Sequence, residues 1–327
     1  DIININSINK VNYYKLSNII NLTNNNEKLL QELNTKINED KIYEYSFLNF
    51  YNDNGYKYLG EMKRFSKIGE GMLYFCDNDK RRSYVGEFKN DNFNGKGILC
   101  FKNGKRYEGD FKYGKFDGKG TMFWNNGNIY EGNWKANNRD GEGIKLYKNL
   151  GIYKGNWKNN NKEGKGIFYY QNKDRYEGDW KKNMKDGKGT MYYKSGEVYK
   201  GDWRKDIKEG KGIIYFINGD IYEGEYYNDN RAEKGIYYFN SGNKYKGSFK
   251  YGKRGGKGIM YYINGDRYEG DYYNDKREGK GKMYYNNGDR YEGDWKNNMR
   301  EGKGKLYINN HGIYEGNMEN DRMGGKG

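Results

Sequence analysis

The tripeptide Gly-Lys-Gly is the pattern in this chain that comes closest to a phosphate-binding loop. It occurs at residues 95–97, 118–120 and 187–189, among other places. A P-loop needs Gly-x-x-x-x-Gly-Lys-Ser/Thr between a strand and a helix. These lysines instead lie in strand-like segments and recur many times. The tripeptide therefore indicates a structural repeat and not nucleotide chemistry.

Candidates for metal ligands and nucleophiles are few. The single histidine, His311, has no second histidine or cysteine at ligand spacing, and Cys76 and Cys100 have neither metal nor disulfide spacing. Two reduced thiols in a cytosolic protein are the expected state. Carboxylates are numerous, but they recur at equivalent positions, and catalysis needs one distinct pocket. The sequence therefore predicts no catalytic residue, no metal site and no cofactor. We expect that the protein is not an enzyme.

Positive charge is the remaining chemical feature. The net charge is +15, and residues 1–40 hold four lysines and five acids (net −1), so the rest carries +16. Such an excess attracts phosphates, anionic lipid or acidic proteins. Single-stranded nucleic acid is not predicted, because alternation places most aromatic residues and lysines on opposite faces. The candidates for anionic-lipid contacts are Lys250, Lys253, Arg254, Lys257, Arg277, Lys280 and Lys282.

One repeated element positions all of these residues. The pattern Tyr-x-Gly-x-aromatic, a polar run and Gly-x-Gly recurs every 23 residues from Tyr84 to Tyr314, and an earlier copy begins at Tyr58, 26 residues before Tyr84. These twelve copies predict an elongated repeat array in which each unit packs on its neighbours. We expect an amphipathic helical segment at residues 1–40, a partial capping repeat at 41–57 and the repeat domain at 58–327, with its last copy truncated.

Side-chain alternation within a copy predicts a β-hairpin. Tyr291, Gly293 and Trp295 share one face with Gly304 of the second strand, and the polar run from about Asn297 to Glu301 is the expected turn. Pairing Gly293 with Gly304 brings an aspartate opposite a lysine. The expected ion pairs are Asp294 with Lys303, Asp110 with Lys119, Asp179 with Lys188, Asp202 with Lys211, and Asp271 with Lys280.

The repeats are joined by Asn-Gly or Ser-Gly dipeptides, which are strong hairpin signals. A two-residue turn would move the aromatic residues to the other face, so we expect a three-residue turn with a bulge at the glycine. The predicted fold is all-β. It is a single-layer antiparallel meander of about 24 strands, twisted into a rod or trough.

The aromatic-and-glycine face is the predicted binding surface. A single-layer sheet cannot bury both of its faces, so another segment or chain should cover part of this one. The candidate partner-binding trough consists of Tyr107, Phe111, Tyr130, Trp134, Tyr153, Trp157, Tyr176, Trp180, Tyr199 and Trp203.

The segment Tyr-Glu-Gly-Asp-Trp-Lys-Asn-Asn-Met-Arg-Glu-Gly-Lys-Gly-Lys-Leu-Tyr at residues 291–307 resembles a MORN repeat (membrane occupation and recognition nexus), and the resemblance extends over residues 58–327. Glu233 departs from it at a glycine position, and Met62 and Met318 depart at the aromatic position. The Asn, Lys, Tyr and Ile bias resembles proteins of AT-rich protozoa such as malaria parasites, members of the apicomplexans.

This resemblance implies a non-enzymatic scaffold of the cytoskeleton or membrane skeleton whose concave face, carrying the motif aromatics and glycines, receives a partner's helix or extended peptide. It also implies a homodimer through the C-terminal repeats. The alternatives are a phosphoinositide or acidic-membrane binding module, and the repeat region of a larger enzyme or of an axonemal assembly of the radial-spoke type. The expected location is cytoplasmic, associated with the cytoskeleton or an inner membrane.

Overall fold

The computed structural model describes residues 46–47, 50–51 and 55–324 of the chain. The helical segment expected at residues 1–40 lies outside the described residues. The strands are β1 Ser46–Phe47, β2 Phe50–Tyr51, β3 Lys57–Lys63, β4 Ser66–Tyr74, β5 Arg81–Lys89, β6 Asn92–Phe101, β7 Arg106–Lys112, β8 Lys115–Phe123, β9 Ile129–Lys135, β10 Asn138–Tyr147, β11 Gly151–Lys158, β12 Asn161–Tyr170, β13 Arg175–Lys181, β14 Met184–Tyr192, β15 Val198–Arg204, β16 Ile207–Tyr215, β17 Ile221–Tyr227, β18 Asn230–Tyr238, β19 Lys244–Lys250, β20 Lys253–Tyr261, β21 Arg267–Tyr273, β22 Lys276–Tyr284, β23 Arg290–Lys296, β24 Met299–Ile308, β25 Gly312–Glu319 and β26 Arg322–Gly324.

All 26 strands form one antiparallel sheet. The short strands β1 and β2 both pair with β3, and from β3 onward each strand pairs with the next one in the chain. The predicted single-layer meander is confirmed, with two strands more than the sequence indicated. The described part of the chain contains no helix.

The turn inside each hairpin is shorter than expected. Between β23 and β24 only Asn297 and Asn298 lie outside the ladder, because Lys296 pairs with Met299. Both asparagines have positive φ angles, 48° and 74°. Two consecutive left-handed residues make a type I′ turn, whose twist matches that of the flanking strands. The prediction that the turn extends to Glu301 was therefore wrong, since asparagine adopts this conformation readily and two residues suffice.

Most of the turns between repeats are confirmed as three-residue turns with a bulge. Between β16 and β17, Phe216 N–H donates to Asp220 O (2.9 Å) and Gly219 N–H donates to Phe216 O (3.0 Å). Gly219 has a φ of 87°, the left-handed conformation that the bulge requires. Lys173 takes the same place without glycine, at a φ of 75°.

The register places the glycines opposite each other as expected but breaks beyond them. Gly293 pairs with Gly304, and the next pair is Trp295 with Arg300, so one residue of β23 faces three residues of β24. Asp294 lies opposite this bulge, and its Oδ2 accepts the Lys303 backbone N–H at 3.2 Å. The bulge leaves that N–H without a ladder partner, and the carboxylate supplies one.

The predicted ion pairs within hairpins were wrong. Each carboxylate accepts the backbone N–H of the predicted lysine, and its ion pair is made with a lysine of the preceding repeat. The aspartate stands directly opposite that earlier lysine in the ladder, whereas the bulge shifts the later one away. The ion pairs that these five aspartates make are Lys96–Asp110, Lys165–Asp179, Lys188–Asp202, Lys257–Asp271 and Lys280–Asp294.

The core is one ladder of aromatic rings on one face of the sheet. Tyr291 is completely buried, and its hydroxyl donates to Asp294 O at 3.0 Å. Its ring lies flat over the glycine pair, because a Cβ placed on Gly304 would be 2.3 Å from the Tyr291 hydroxyl. Trp295 meets Tyr268 and Tyr291 edge-on, at 5.1 and 5.4 Å between centroids. The motif glycines thus provide the space in which the tyrosines lie.

Candidate interaction face

The ten residues of the predicted trough belong to the core. Tyr107, Phe111, Tyr130, Trp134, Tyr153, Trp157, Tyr176, Trp180, Tyr199 and Trp203 have exposed fractions between 0% and 6%. A row of cations, one in each repeat from Arg139 to Arg300, covers the outer side of the rings. The Lys162 ammonium lies 3.7 Å from the Trp180 centroid, and the Arg277 guanidinium lies 4.3 Å from that of Trp295. Partner contact with the rings themselves stays a prediction.

The concave side is the face opposite the rings, whereas the family resemblance implied that it carries the motif aromatics together with the glycines. Three successive cavities of about 1180, 1040 and 670 Å³ follow this face from Lys96 to Gly293. Glycine backbone, lysine, glutamate, isoleucine and threonine line them, and none of the ten trough residues does. We call this concave surface the groove. The bulky aromatic rings all lie on one face of the single-layer sheet. The smaller side chains therefore line the opposite, concave face.

The floor of the groove carries an ordered row of side chains. Ile144 pairs with Glu131 on one side and Lys154 on the other, so aliphatic and charged residues alternate from strand to strand. Equivalent aliphatic or threonine positions recur at every second strand, about 9.6 Å apart. They are Ile98, Thr121, Ile144, Ile167, Thr190, Ile213, Ile236 and Ile259.

One wall of the groove is held by arginines that lie on tyrosine rings. The Arg175 guanidinium stands 4.1 Å from the Tyr192 centroid, and its Nε lies 3.3 Å from the Glu177 carboxylate. The same arrangement is found at Arg267 with Tyr284 and Glu269, and at Arg290 with Tyr307 and Glu292. Each arginine bridges an aromatic and an acidic side chain, which orders the wall before any partner arrives.

The aliphatic row ends before the C-terminal repeats. Lys282 and Lys305 take the equivalent floor positions there and contact Glu292 at 3.2 Å and Glu315 at 2.8 Å. Charged side chains that already pair with each other offer little to an apolar partner. The part of the groove with an apolar floor therefore runs from Ile98 to Ile259.

The comparison with protein families identifies the repeat. The family model described as MORN repeat matches eleven consecutive segments from residue 84 to residue 327. The chain belongs to the MORN-repeat family. The structure adds a further MORN hairpin before the matched ones, because Gly60 pairs with Gly71 and the buried Tyr58 donates its hydroxyl to Glu61 O at 2.9 Å.

Solved structures with some likeness to this MORN array are distant. The TCP10 domain of Danio rerio CPAP in complex with a STIL peptide is 13% identical, with a TM-score of 0.39 over 69% of this chain and 96% of the other. The SAS-4 TCP domain of Drosophila melanogaster in complex with a proline-rich motif of Ana2 is 14% identical, with a TM-score of 0.23 over 62% and 86%. These likenesses carry no functional implication at such TM-scores. No curated protein sequence matches the chain.

The MORN array does not gather the cations proposed for lipid contact into one patch. Lys257, Lys280 and Lys282 lie in the groove, where each contacts a carboxylate. Arg254 and Arg277 cover aromatic rings on the other face, and Arg254 also pairs with Asp275 at 3.2 Å. Exposed Lys250 and Lys253 lie beside a hairpin turn. Their contact with lipid stays a prediction.

The remaining candidate residues of the MORN array have local contacts. His311 is exposed at a turn, and its Nδ1 lies 2.8 Å from Asn309 O. Cys76 and Cys100 are free thiols. Among residues 55–324 and the two short strands before them, no three metal-ligating side chains come together. No helix in this described part is long and apolar enough to cross a membrane.

Sequence reasoning missed the floor of the groove. A sequence signal for this floor existed. One position of the motif is Ile or Thr in eight consecutive repeats, and most of the residues that pair with it on the adjacent strands are Glu or Lys. It was overlooked because the more abundant aromatic residues suggested the binding side. MORN repeats in a single open sheet fit a protein-interaction scaffold, and such repeat arrays are typically non-enzymatic.

Proposed function

We propose that the chain is a non-catalytic scaffold that binds a helix or an extended segment of a partner protein along the groove between Ile98 and Ile259. The observation that carries this proposal is the row of aliphatic side chains at every second strand of a concave, otherwise polar surface. Ile144 leaves 44% of its surface exposed, and as one of a row of such positions it contributes to a continuous apolar strip that a partner could cover.

The spacing of the floor limits the partner. Aliphatic positions about 9.6 Å apart match every seventh residue of a helix, about 10.5 Å, or every third residue of an extended chain, about 10 Å. The charged residues between them favour a partner with complementary charges between its apolar residues. A partner segment with one apolar residue at such intervals would contact several repeats at once, and affinity would grow with the number of repeats engaged.

The pairing of lysines with acids favours a protein over a membrane as the partner. Lys257, Lys280 and Lys282 form ion pairs with Asp271, Asp294 and Glu292, respectively, within the sheet. A membrane surface is attracted by clusters of cations that lack such partners. On the family association we place the scaffold at the cytoskeleton or membrane skeleton, with dimerisation through the C-terminal repeats as a further expectation.

Site-specific photo-crosslinking tests the groove. A photoreactive residue at Ile144 or Ile213 should capture the same partner segment, and one at Ile217, an exposed turn residue of the same type, should not. The variants Ile144→Glu and Ile213→Glu should then abolish the captured interaction, with Ile217→Glu as the matched control.

A variant on the aromatic face can show whether the partner binds there and not in the groove. Tyr170→Ala removes a half-buried ring from the aromatic side without touching the groove. Loss of partner capture in this variant, with capture intact in both groove variants, would place the partner on the aromatic face and contradict the proposal.

A further inference from the structure

The aromatic face departs from the repeat pattern at Lys145. In other repeats the residue at this position pairs with the motif tyrosine across the strands and is apolar. Examples are Met122, Met191, Met260 and Met283. Lys145 pairs with Tyr130 and Tyr153, so its side chain stands on the same face as their rings. Its ammonium lies 4.4 Å from the Tyr147 centroid and 5.3 Å from the Trp124 centroid.

Two further cations flank Lys145. The Arg139 guanidinium lies 4.5 Å from the Trp157 centroid, and the Lys145 ammonium lies 6.0 Å from the same centroid. On the other side, the Lys162 ammonium stands 4.9 Å from the Phe168 centroid, which is 5.8 Å from that of Tyr147. Arg139, Lys145 and Lys162 thus share one continuous aromatic surface.

In several other repeats an acid compensates the equivalent cation, but Arg139 and Lys162 have none at that position. Arg254 and Arg300 pair with Asp275 and Asp321, the second turn residue of the following hairpin, each at 3.2 Å. The corresponding residues for Arg139 and Lys162 are the neutral Asn160 and Asn183, whose side-chain oxygens accept the backbone N–H groups of these two residues at 2.9 and 2.8 Å. Asp206 of a later hairpin is the acid whose charge acts on Lys162.

Arg139 shows the lack of an acceptor directly. Its Nε donates to Asn160 Oδ1 at 3.3 Å and its Nη2 donates to Asn160 O at 2.9 Å. Its Nη1 is buried and finds no acceptor within the described part of the chain. Burial, with a smaller contribution from neighbouring cations, lowers the pKa of Lys145 and of Lys162 to about 8, and Asp206 opposes this shift at Lys162. Uncompensated cations held in this way are costly unless an anion joins them.

We propose that Arg139, Lys145 and Lys162 form a binding site for the phosphate group of a soluble molecule. A phosphate dianion offers several acceptor oxygens and enough charge for three cations, and its geometry suits the free edge of a guanidinium. The aromatic rings hold the lysine stems in place, so little side-chain freedom remains to be lost on binding. This site is separate from the groove and does not depend on the function proposed for it.

Thermal unfolding at constant ionic strength tests the site, with sodium phosphate or pyrophosphate replacing chloride. The wild-type Tm should rise with phosphate concentration. Lys145→Met, which restores the apolar residue of the repeat, should have a higher Tm than wild type in chloride and lose the phosphate-dependent rise. Lys200→Met removes one exposed charge from the groove face and should keep that rise.

A second variant supplies the missing acid. Asn160→Asp places a carboxylate beside Arg139, as Asp275 stands beside Arg254, and should raise the Tm in chloride while weakening the response to phosphate. A wild-type Tm that is equal in phosphate and chloride, or a rise that persists in both variants, would overturn the proposal. Binding to phosphoinositide vesicles that is lost in Lys145→Met, without any response to soluble phosphate, would overturn the assignment to a soluble ligand.

Discussion

The ammonium of Lys280 contacts the carboxylate of Asp294 across the boundary between two repeats, with Nζ and Oδ1 2.5 Å apart. The other carboxylate oxygen accepts the Lys303 N–H inside the second repeat. One aspartate therefore joins two hairpins and closes a bulge at the same time, and equivalent residues do so along the array.

Removing this acceptor should cost more than removing the lysine. Asp294→Ala leaves the Lys303 N–H without its partner and should destabilise the array by about 1–2 kcal/mol. Lys280→Ala breaks only an exposed ion pair and should cost at most about 1 kcal/mol. Urea unfolding of both variants checks this, with Asp294→Asn as the control that keeps an acceptor oxygen. Equal losses for the alanine variants would contradict the dual role.

The glycine beneath the motif tyrosine should not tolerate a side chain. Gly304→Ala puts a methyl group 2.3 Å from the Tyr291 hydroxyl, and the ring is enclosed by its neighbours, so a loss of about 1–3 kcal/mol is expected. Gly255→Ala is the matched control, because its added Cβ would meet nothing nearer than 3.5 Å. The difference in urea midpoint between the two variants is the measurement. Similar midpoints would mean that the ring moves aside freely.

The cation over Trp295 should shield that ring. Arg277→Ala removes the guanidinium 4.3 Å from the Trp295 centroid and its hydrogen bond to Asn298 O, so we expect a loss of about 1 kcal/mol. Quenching of tryptophan fluorescence by acrylamide should increase as the ring gains exposure. Arg277→Lys should retain part of both effects, and unchanged quenching in Arg277→Ala would argue against the shielding role.

Stability should rise with pH between about 7 and 9.5 and fall above about 10. The pKa of Lys145 and Lys162 is lowered to about 8 by burial, so the unfolded chain binds more protons than the folded one from pH 8 upward. As pH increases, these two lysines lose their protons in the folded state. The cost of burying their charge disappears, and the free energy of unfolding rises. The difference in Tm between wild type and Lys145→Met should narrow from pH 7 to 9.5, and a constant difference would contradict this cause.

The buried tyrosines act in the opposite direction at higher pH. Burial raises the pKa of Tyr222 and of Tyr291 to about 12, so the folded state keeps their protons above the ordinary pKa of tyrosine, about 10. The stability they contribute is fully present below pH 10 and is lost as pH rises through 12. Absorbance at 295 nm should first report exposed residues such as Tyr113 and Tyr251 and then increase abruptly at alkaline unfolding. A gradual titration of all tyrosines in a folded protein would contradict this order.

Most of the local fold could be predicted because its signals are local. The alternation of Tyr291, Gly293 and Trp295 indicates a strand with one aromatic face, and an Asn-Gly dipeptide indicates where the chain reverses. The pairing of Gly293 with Gly304 followed from the requirement that both strands place their apolar residues on one face. The pairing partner of Asp294 did not follow, because the bulge is invisible in a pattern of residue types.

The sequence alone determined the 23-residue period, the hairpin in each copy, the single-layer meander and the membership of the MORN family, since each rests on spacing and on short-range backbone preferences. Only the tertiary structure decided which face is concave, which lysine pairs with which aspartate and where uncompensated cations meet. These depend on small twists and register shifts added over many strands. They also depend on contacts between residues one repeat apart, and no single copy of the motif contains that information.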